Sequence, residues 1–228
     1  MVGWILPISD APADRPLKTL LTGPQGPLLV LAHGAGAGMD SSAMWLLTQA
    51  LNNAGIQVLR FEFPYMTRSR ESGTRRPPDR APVLMASWHQ ALQVARALSP
   101  TPGKIFVGGK SMGGRMASHL LAQQPVPADL AGGLCFGYPF HPPDKPDRWR
   151  TEHFSELQRP LWIAQGERDP FGRRQEVMAR GLAYKQLRLY WATDADHDLV
   201  PAKRSGLTGA QVLADIAAQA RLFMGVTQ

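Results

Sequence analysis

An alternation limits this fold more than any other feature. Six short apolar runs, Pro27–Ala32, Gln57–Phe63, Lys104–Gly108, Gly132–Gly137, Pro160–Gln165 and Gln186–Trp191, are separated by stretches of different period. Several runs are continuously apolar, as strands covered on both faces require. The intervening stretches repeat their apolar residues every three to four positions, as helices do. Leu84, Trp88, Ala91, Leu92, Ala95 and Leu98 form one such stripe, and Leu213, Ile216, Ala217 and Ala220 another. Leu47, Ala50, Leu51 and Ala54 form a third over Ser42–Ala54, with Asp40 or Ser41 placed to cap its start. The expected fold is α/β, a mostly parallel sheet with helices on both faces, with function beyond the carboxyl ends of the strands. The Pro-rich residues 1–26 are expected to add one or two antiparallel edge strands. No repeat, low-complexity tract or linker divides the 228 residues, so one domain over 1–228 is expected.

Composition narrows the function. Apolar residues make up 44% and charged residues 19%, too apolar a balance for a disordered chain. No apolar run is long enough to span a bilayer, and the N-terminus lacks a basic segment followed by an apolar one. The single cysteine, Cys135, excludes an internal disulfide framework and a thiolate metal cluster. A cytoplasmic enzyme or binding domain is expected, with no membrane partner. The net charge of +7 permits a nucleic-acid partner, but Arg68, Arg70, Arg75, Arg76 and Arg80 crowd one stretch and no helix carries a basic stripe. Nucleic acid is therefore not the expected partner.

Three glycine-rich signals test nucleotide chemistry against acyl transfer. The turn His33-Gly34-Ala35-Gly36-Ala37-Gly38 has alternating glycines and matches no dinucleotide fingerprint. A phosphate loop ending in Gly109-Lys110-Ser111 needs glycine five residues earlier, where Lys104 stands. The third pattern fits: Gly109-Lys110-Ser111-Met112-Gly113 is G-x-S-x-G, set between the strand at 104–108 and a helical run over Met112–Gln123. Such a strand-to-helix turn lifts a serine above the sheet and points the amide of Met112 at a developing oxyanion. The alternative is a serine that merely caps the helix.

A serine nucleophile needs a base to take its proton and an acid to orient that base, in the chain order Ser, Asp or Glu, His for this fold. Asp169 follows the fifth run and His197 follows the sixth. Glu167 shares the acid turn, while Asp194, Asp196 and Asp198 surround the histidine; these are expected to tune or solvate the loop. His89, His119 and His153 are expected to pack, and the histidine spacing offers no metal site. The second oxyanion amide is expected from Ala35 or Gly36, with His33 holding that loop.

These residues resemble the α/β-hydrolase superfamily, specifically its small lidless serine hydrolases related to dienelactone hydrolases. The H-G-A-G turn, Phe63-Pro64-Tyr65, Arg75-Arg76 followed by Pro78, G-K-S-M-G-G and Gly137–Pro143 are similar to a narrower group. That group holds uncharacterised bacterial hydrolases and the hydrolase-like domain of a subunit of the NSL chromatin complex. A nucleophilic serine in place of the cysteine of dienelactone hydrolases argues against dienelactone chemistry. Only His141–Arg159 occupies the place where larger relatives insert a cap, so an open site is expected.

The reading is a serine hydrolase of carboxylesterase or thioesterase type that cleaves a small acyl ester through an acyl-enzyme, with no cofactor. Ser111, Asp169 and His197 carry the reaction. The amides of Met112 and of Ala35 or Gly36 form the oxyanion hole. Tyr65, Arg75 and Arg76 are the candidate substrate contacts, the arginines lying in a loop that either binds an anion or is solvated beside Glu71 and Asp79. The alternative is a non-catalytic interaction protein on a hydrolase scaffold.

Overall fold

The computed structural model describes residues 16–98 and 105–225. Seven strands form one sheet: β1 (Thr19–Thr22), β2 (Leu28–Ala32), β3 (Gln57–Phe61), β4 (Ile105–Lys110), β5 (Leu130–Phe136), β6 (Leu161–Gly166) and β7 (Leu187–Ala192). Their spatial order is β1-β3-β2-β4-β5-β6-β7. Only β1 runs antiparallel, against β3 with Thr19 opposite Phe61; every other pairing is parallel. Among the described residues, the expected N-terminal edge holds one strand, at 19–22; residues 1–15 lie outside them. The third expected strand begins at Ile105, since Lys104 also lies outside them.

Alternation along the strands divides the core in two. In β2, Leu28, Val30 and Ala32 face α3 (Ala81–Leu98) and α4 (Met112–Leu121), where Leu84, Trp88, Ala91 and Met116 pack on them. Leu29 and Leu31 face the opposite side and meet Met44, Leu47 and Leu51 of α1 (Ser42–Asn53) and Ile216 and Ala220 of α6 (Gly209–Phe223). All five residues of β2 are fully buried, and each large side chain there contributes roughly 1.5–3 kcal/mol of hydrophobic burial. Ser41 caps α1, its side chain accepting the Met44 amide at 3.4 Å. Thr208 closes a capping box with Gln211 at the start of α6.

One expectation is corrected. The arginine-rich stretch after β3 is not all loop: Pro64–Ser72 forms a helix, α2, that carries Arg68 and Arg70. Pro64 at its first turn is preset for helix, and Gly73 ends it at φ 64° in the left-handed region. The segment has no apolar stripe and buries only Tyr65, so period gave no sign of it. A further short helix, α5 (Arg174–Arg180), follows β6.

The connection from β5 to β6 folds back onto the body. Tyr138, Phe140, Phe154 and Leu157 are buried in the first core, and a single 3-10 turn, Glu152–Glu156, interrupts it. Among the described residues, no helix is long and apolar enough to cross a membrane.

Candidate active site

Ser111 sits between the last residue of β4 and the first of α4 with φ 51° and ψ −117°, a conformation that side chains rarely adopt. Two backbone contacts over-determine it. The Ser111 amide donates to the Phe136 carbonyl of β5 at 3.1 Å, and its carbonyl accepts from Arg115 at 3.0 Å. Gly113 lets the first turn of α4 lie directly on β2, because a Cβ there would stand 2.6 Å from the Ala32 and His33 carbonyl oxygens. The Ser111 side chain makes no capping bond to α4. Its Oγ instead lies 2.9 Å from Nε2 of His197.

His197 and Asp169 reach the same point from the neighbouring strand ends. Nδ1 of His197 is 2.8 Å from Oδ2 of Asp169, which is fully buried. A carboxylate only accepts, so Nδ1 carries the ring proton and Nε2 presents its lone pair to the Ser111 hydroxyl. The ring of Phe171 lies 4.3 Å from the imidazole, centroid to centroid. Three donors converge on the Asp169 carboxylate: His197, Gln165 Nε2 at 2.8 Å and the Phe171 amide at 2.8 Å. Together they offset the cost of burying its charge.

Two supporting side chains carried no sequence signal. Gln165, wholly buried in β6, accepts from the Tyr138 amide at 2.7 Å and donates to the Tyr138 and Gly172 carbonyls at 3.1 and 3.2 Å. It thereby ties the β5 exit, the β6 turn and Asp169 together. Lys110, beside the serine, donates to the His197 carbonyl at 2.7 Å and pairs with Asp198 at 3.1 Å. Burial pushes its ammonium pKa down, and Asp198 opposes that shift. Gly137 leaves room for this contact: it has φ 66°, and a Cβ there would stand 2.6 Å from the His197 carbonyl.

The competing acids are structural. Glu167 pairs with Arg174 at 2.6 Å and accepts the Asp194 amide at 3.0 Å. Asp194 pairs with Arg168 and Arg204, while Asp196 accepts the Asp198 and Val200 amides at 3.0 Å. None of the three has a hydrogen bond to the His197 ring; they shape the turns around it. His119 and His153 stack at 3.7 Å, joining α4 to the 3-10 turn. Burial pushes their pKa values down to about 4 and about 3.

The loop after β2 is held from beneath. His33 Nε2 accepts the Phe63 amide at 3.0 Å, so its Nδ1–H donates to the Gly34 carbonyl at 2.7 Å. Burial keeps this ring neutral by lowering its pKa. The Tyr65 hydroxyl donates to the Gly34 and Ala35 carbonyls at 3.1 and 3.2 Å. Tyr65 is therefore in the interior with its hydroxyl committed to the loop, a support for it and not a lining residue. In a trans peptide the N–H points opposite the preceding carbonyl, so the amides of Ala35 and Gly36 face away from Tyr65. Gly34 also lies against the serine: a Cβ there would stand 3.6 Å from Ser111 Cβ.

Ala35 and Gly36 border an open groove of about 250 Å3 whose far wall is Met66, Ser69 and Arg70 of α2 and residues 73–76. Arg75 and Arg76, both expected to meet substrate, line it. Arg68 and Arg70 are already paired, Arg68 with Asp79 and Arg70 with both Asp40 and Glu62.

Solved structures with the same fold are similar over nearly the whole chain. A serine hydrolase without a lid from Xanthomonas campestris is 21% identical, with a TM-score of 0.67, 96% of this chain and 94% of that one covered. A dienelactone hydrolase from Anabaena variabilis is 18% identical, with a TM-score of 0.66 and 92% and 93% covered. An esterase domain from Rhodothermus marinus is 15% identical, with a TM-score of 0.61 and 91% and 97% covered. A family model described as an alpha/beta hydrolase domain matches residues 25–225. With that match across most of its length, the chain belongs to the alpha/beta hydrolase domain family.

Proposed function

We propose that this protein is a serine hydrolase that cleaves a small carboxylic ester or thioester through an acyl-enzyme. One observation carries the reading: the unbroken hydrogen-bond chain from Ser111 Oγ to His197 to the buried Asp169, with links of 2.9 and 2.8 Å. His197 takes the serine proton as Oγ attacks the carbonyl carbon, and Asp169 stabilises the imidazolium that results. The amides of Met112 and of Ala35 or Gly36 receive the oxyanion, the former at the positive end of α4. His197 returns the proton to the leaving alcohol or thiol. It then deprotonates a water that cleaves the acyl-enzyme. The strained Ser111 backbone supports this reading further, because strain of that kind persists where function needs it. Similarity to an esterase domain and a dienelactone hydrolase agrees with ester chemistry.

A fluorophosphonate probe tests the reading. Wild-type protein becomes labelled, mass spectrometry finds the adduct on Ser111 alone, and Ser111→Ala takes up none. Folded wild-type protein that resists labelling would instead favour a binding role on a hydrolase scaffold.

A further inference from the structure

Five arginines fall within residues 68–80, and the structure sorts them into two kinds. Arg68 and Arg70 are neutralised from within, by Asp79 and by Asp40 with Glu62. Glu62 is itself buried and is also held by Thr67 at 3.0 Å, so this network is part of the fold. Arg75, Arg76 and Arg80 form no ion pair with a described residue. Of these, Arg75 and Arg76 line the groove bordered by Ala35 and Gly36, and Arg80 does not.

The segment that carries the two groove arginines is stapled in place. Ser69 Oγ donates to the Thr74 carbonyl at 3.0 Å and accepts the Arg76 amide at 2.8 Å. Ser72 Oγ donates to the Arg68 carbonyl at 2.8 Å, and Asp79 accepts the Tyr65 amide at 3.0 Å beyond the turn. The groove and the serine are linked through the loop after β2. A Cβ at Gly36 would stand 4.0 Å from an Arg75 guanidinium nitrogen, and Gly34, two residues earlier, abuts Ser111. Two guanidiniums with no ion pair among the described residues therefore stand across a groove from Ala35 and Gly36, next in the chain to the Gly34 that lies against Ser111.

We propose that this groove is a carboxylate-recognition subsite. The substrate is then a short ester whose acyl chain ends in a carboxylate, held by Arg75 and Arg76 while its carbonyl lies at Ser111. Guanidinium suits this task because its planar fork matches the two oxygens of a carboxylate. Assigning the bound group to the substrate's acyl chain rests on the hydrolase reading; the presence of an anion site does not.

Two measurements keep those claims apart. Glutarate binding is read by calorimetry in wild-type protein and in Arg75→Gln, Arg76→Gln and Arg80→Gln. Arg80→Gln removes the same charge from the same segment outside the groove. Glutarate binds the wild type, and each groove substitution weakens it by about tenfold or more, the worth of one charge-assisted hydrogen bond. Arg80→Gln leaves it unchanged. Hydrolysis of monoethyl glutarate and of ethyl valerate is then followed by pH-stat. The wild type prefers the glutarate ester in kcat/KM; Arg75→Gln loses that preference, whereas Arg80→Gln keeps it. Equal losses in all three variants would reduce the effect to the overall positive charge and overturn the proposal. Ser111 labelling without glutarate binding would overturn it and spare the hydrolase reading. Arginine-dependent glutarate binding without Ser111 labelling would sink the hydrolase reading and keep the anion site.

Discussion

Lys110 Nζ donates to the main-chain carbonyl of His197 at 2.7 Å, so the residue before the serine holds the residue that faces it. Eighty-seven positions separate the two, and the bond fixes the seventh strand's loop to the fourth strand's end. Lys110→Met removes that tether and leaves a carbonyl unpaired. Ester kcat is expected to fall by about 10- to 100-fold with KM little changed, the usual cost of a slight misplacement of a reacting group. Lys110→Arg, which keeps donors, recovers part of the loss. Since burial lowers the lysine pKa, kcat of the wild type declines on the alkaline side earlier than an exposed lysine would dictate, and Lys110→Met lacks that decline.

Asp169→Asn keeps the shape of the site but can no longer hold the imidazole in the required tautomer. Esterase kcat is expected to drop by about 10^4-fold, as in other triads, while circular dichroism stays native. A loss below tenfold would remove Asp169 from its assigned role.

Gln165→Leu strips four hydrogen bonds at once from the floor of the site. The Tyr138 amide and the Asp169 carboxylate then lose a buried partner. Chemical denaturation should show a loss of roughly 2–4 kcal/mol, beyond the value for one neutral hydrogen bond.

Ser111→Gly relieves the backbone at φ 51°, and glycine adopts that conformation freely. The variant is expected to be more stable by about 1 kcal/mol and to take up no fluorophosphonate. A stability decrease would show that the turn is not strained.

The stacked His119 and His153 give stability a pH dependence. Their folded pKa values, about 4 and about 3, lie below the unfolded 6.5. As pH falls from 7 towards 4, the unfolded chain takes up protons that the folded one refuses. Stability therefore drops, by up to about 1.4 kcal/mol per pH unit for each histidine. Above pH 7 both states are neutral and the pair has no such effect. Denaturation midpoints at pH 7 and pH 5 should differ less in His119→Asn/His153→Asn than in the wild type.

The sheet and the serine, acid, base order were legible because they depend on local pattern. Leu28–Ala32 and Leu161–Ala164 are continuous apolar runs, and Ser111, Asp169 and His197 each follow a strand in chain order. The helix at Pro64–Ser72 was not legible, since a helix that buries one side chain shows no stripe. Gln165 and Lys110 were hidden for a different reason. Their roles lie in bonds to residues 27 and 87 positions away, and nothing near either residue announces those partners. The same holds for the sorting of the arginines, which depends on where Asp40 and Glu62 arrive in space.

Tyr65 is the one buried side chain of α2, with Met66 packed beside it at the edge of the core, and its hydroxyl spans to the loop beside the serine. Beyond it, Arg70 and Thr67 tie the helix to the buried Glu62, so those positions belong to the fold as well. The groove arginines Arg75 and Arg76 lie past the end of that helix at exposed positions, so under the proposed function the choice of acid can drift there while Ser111, Asp169 and His197 stay fixed.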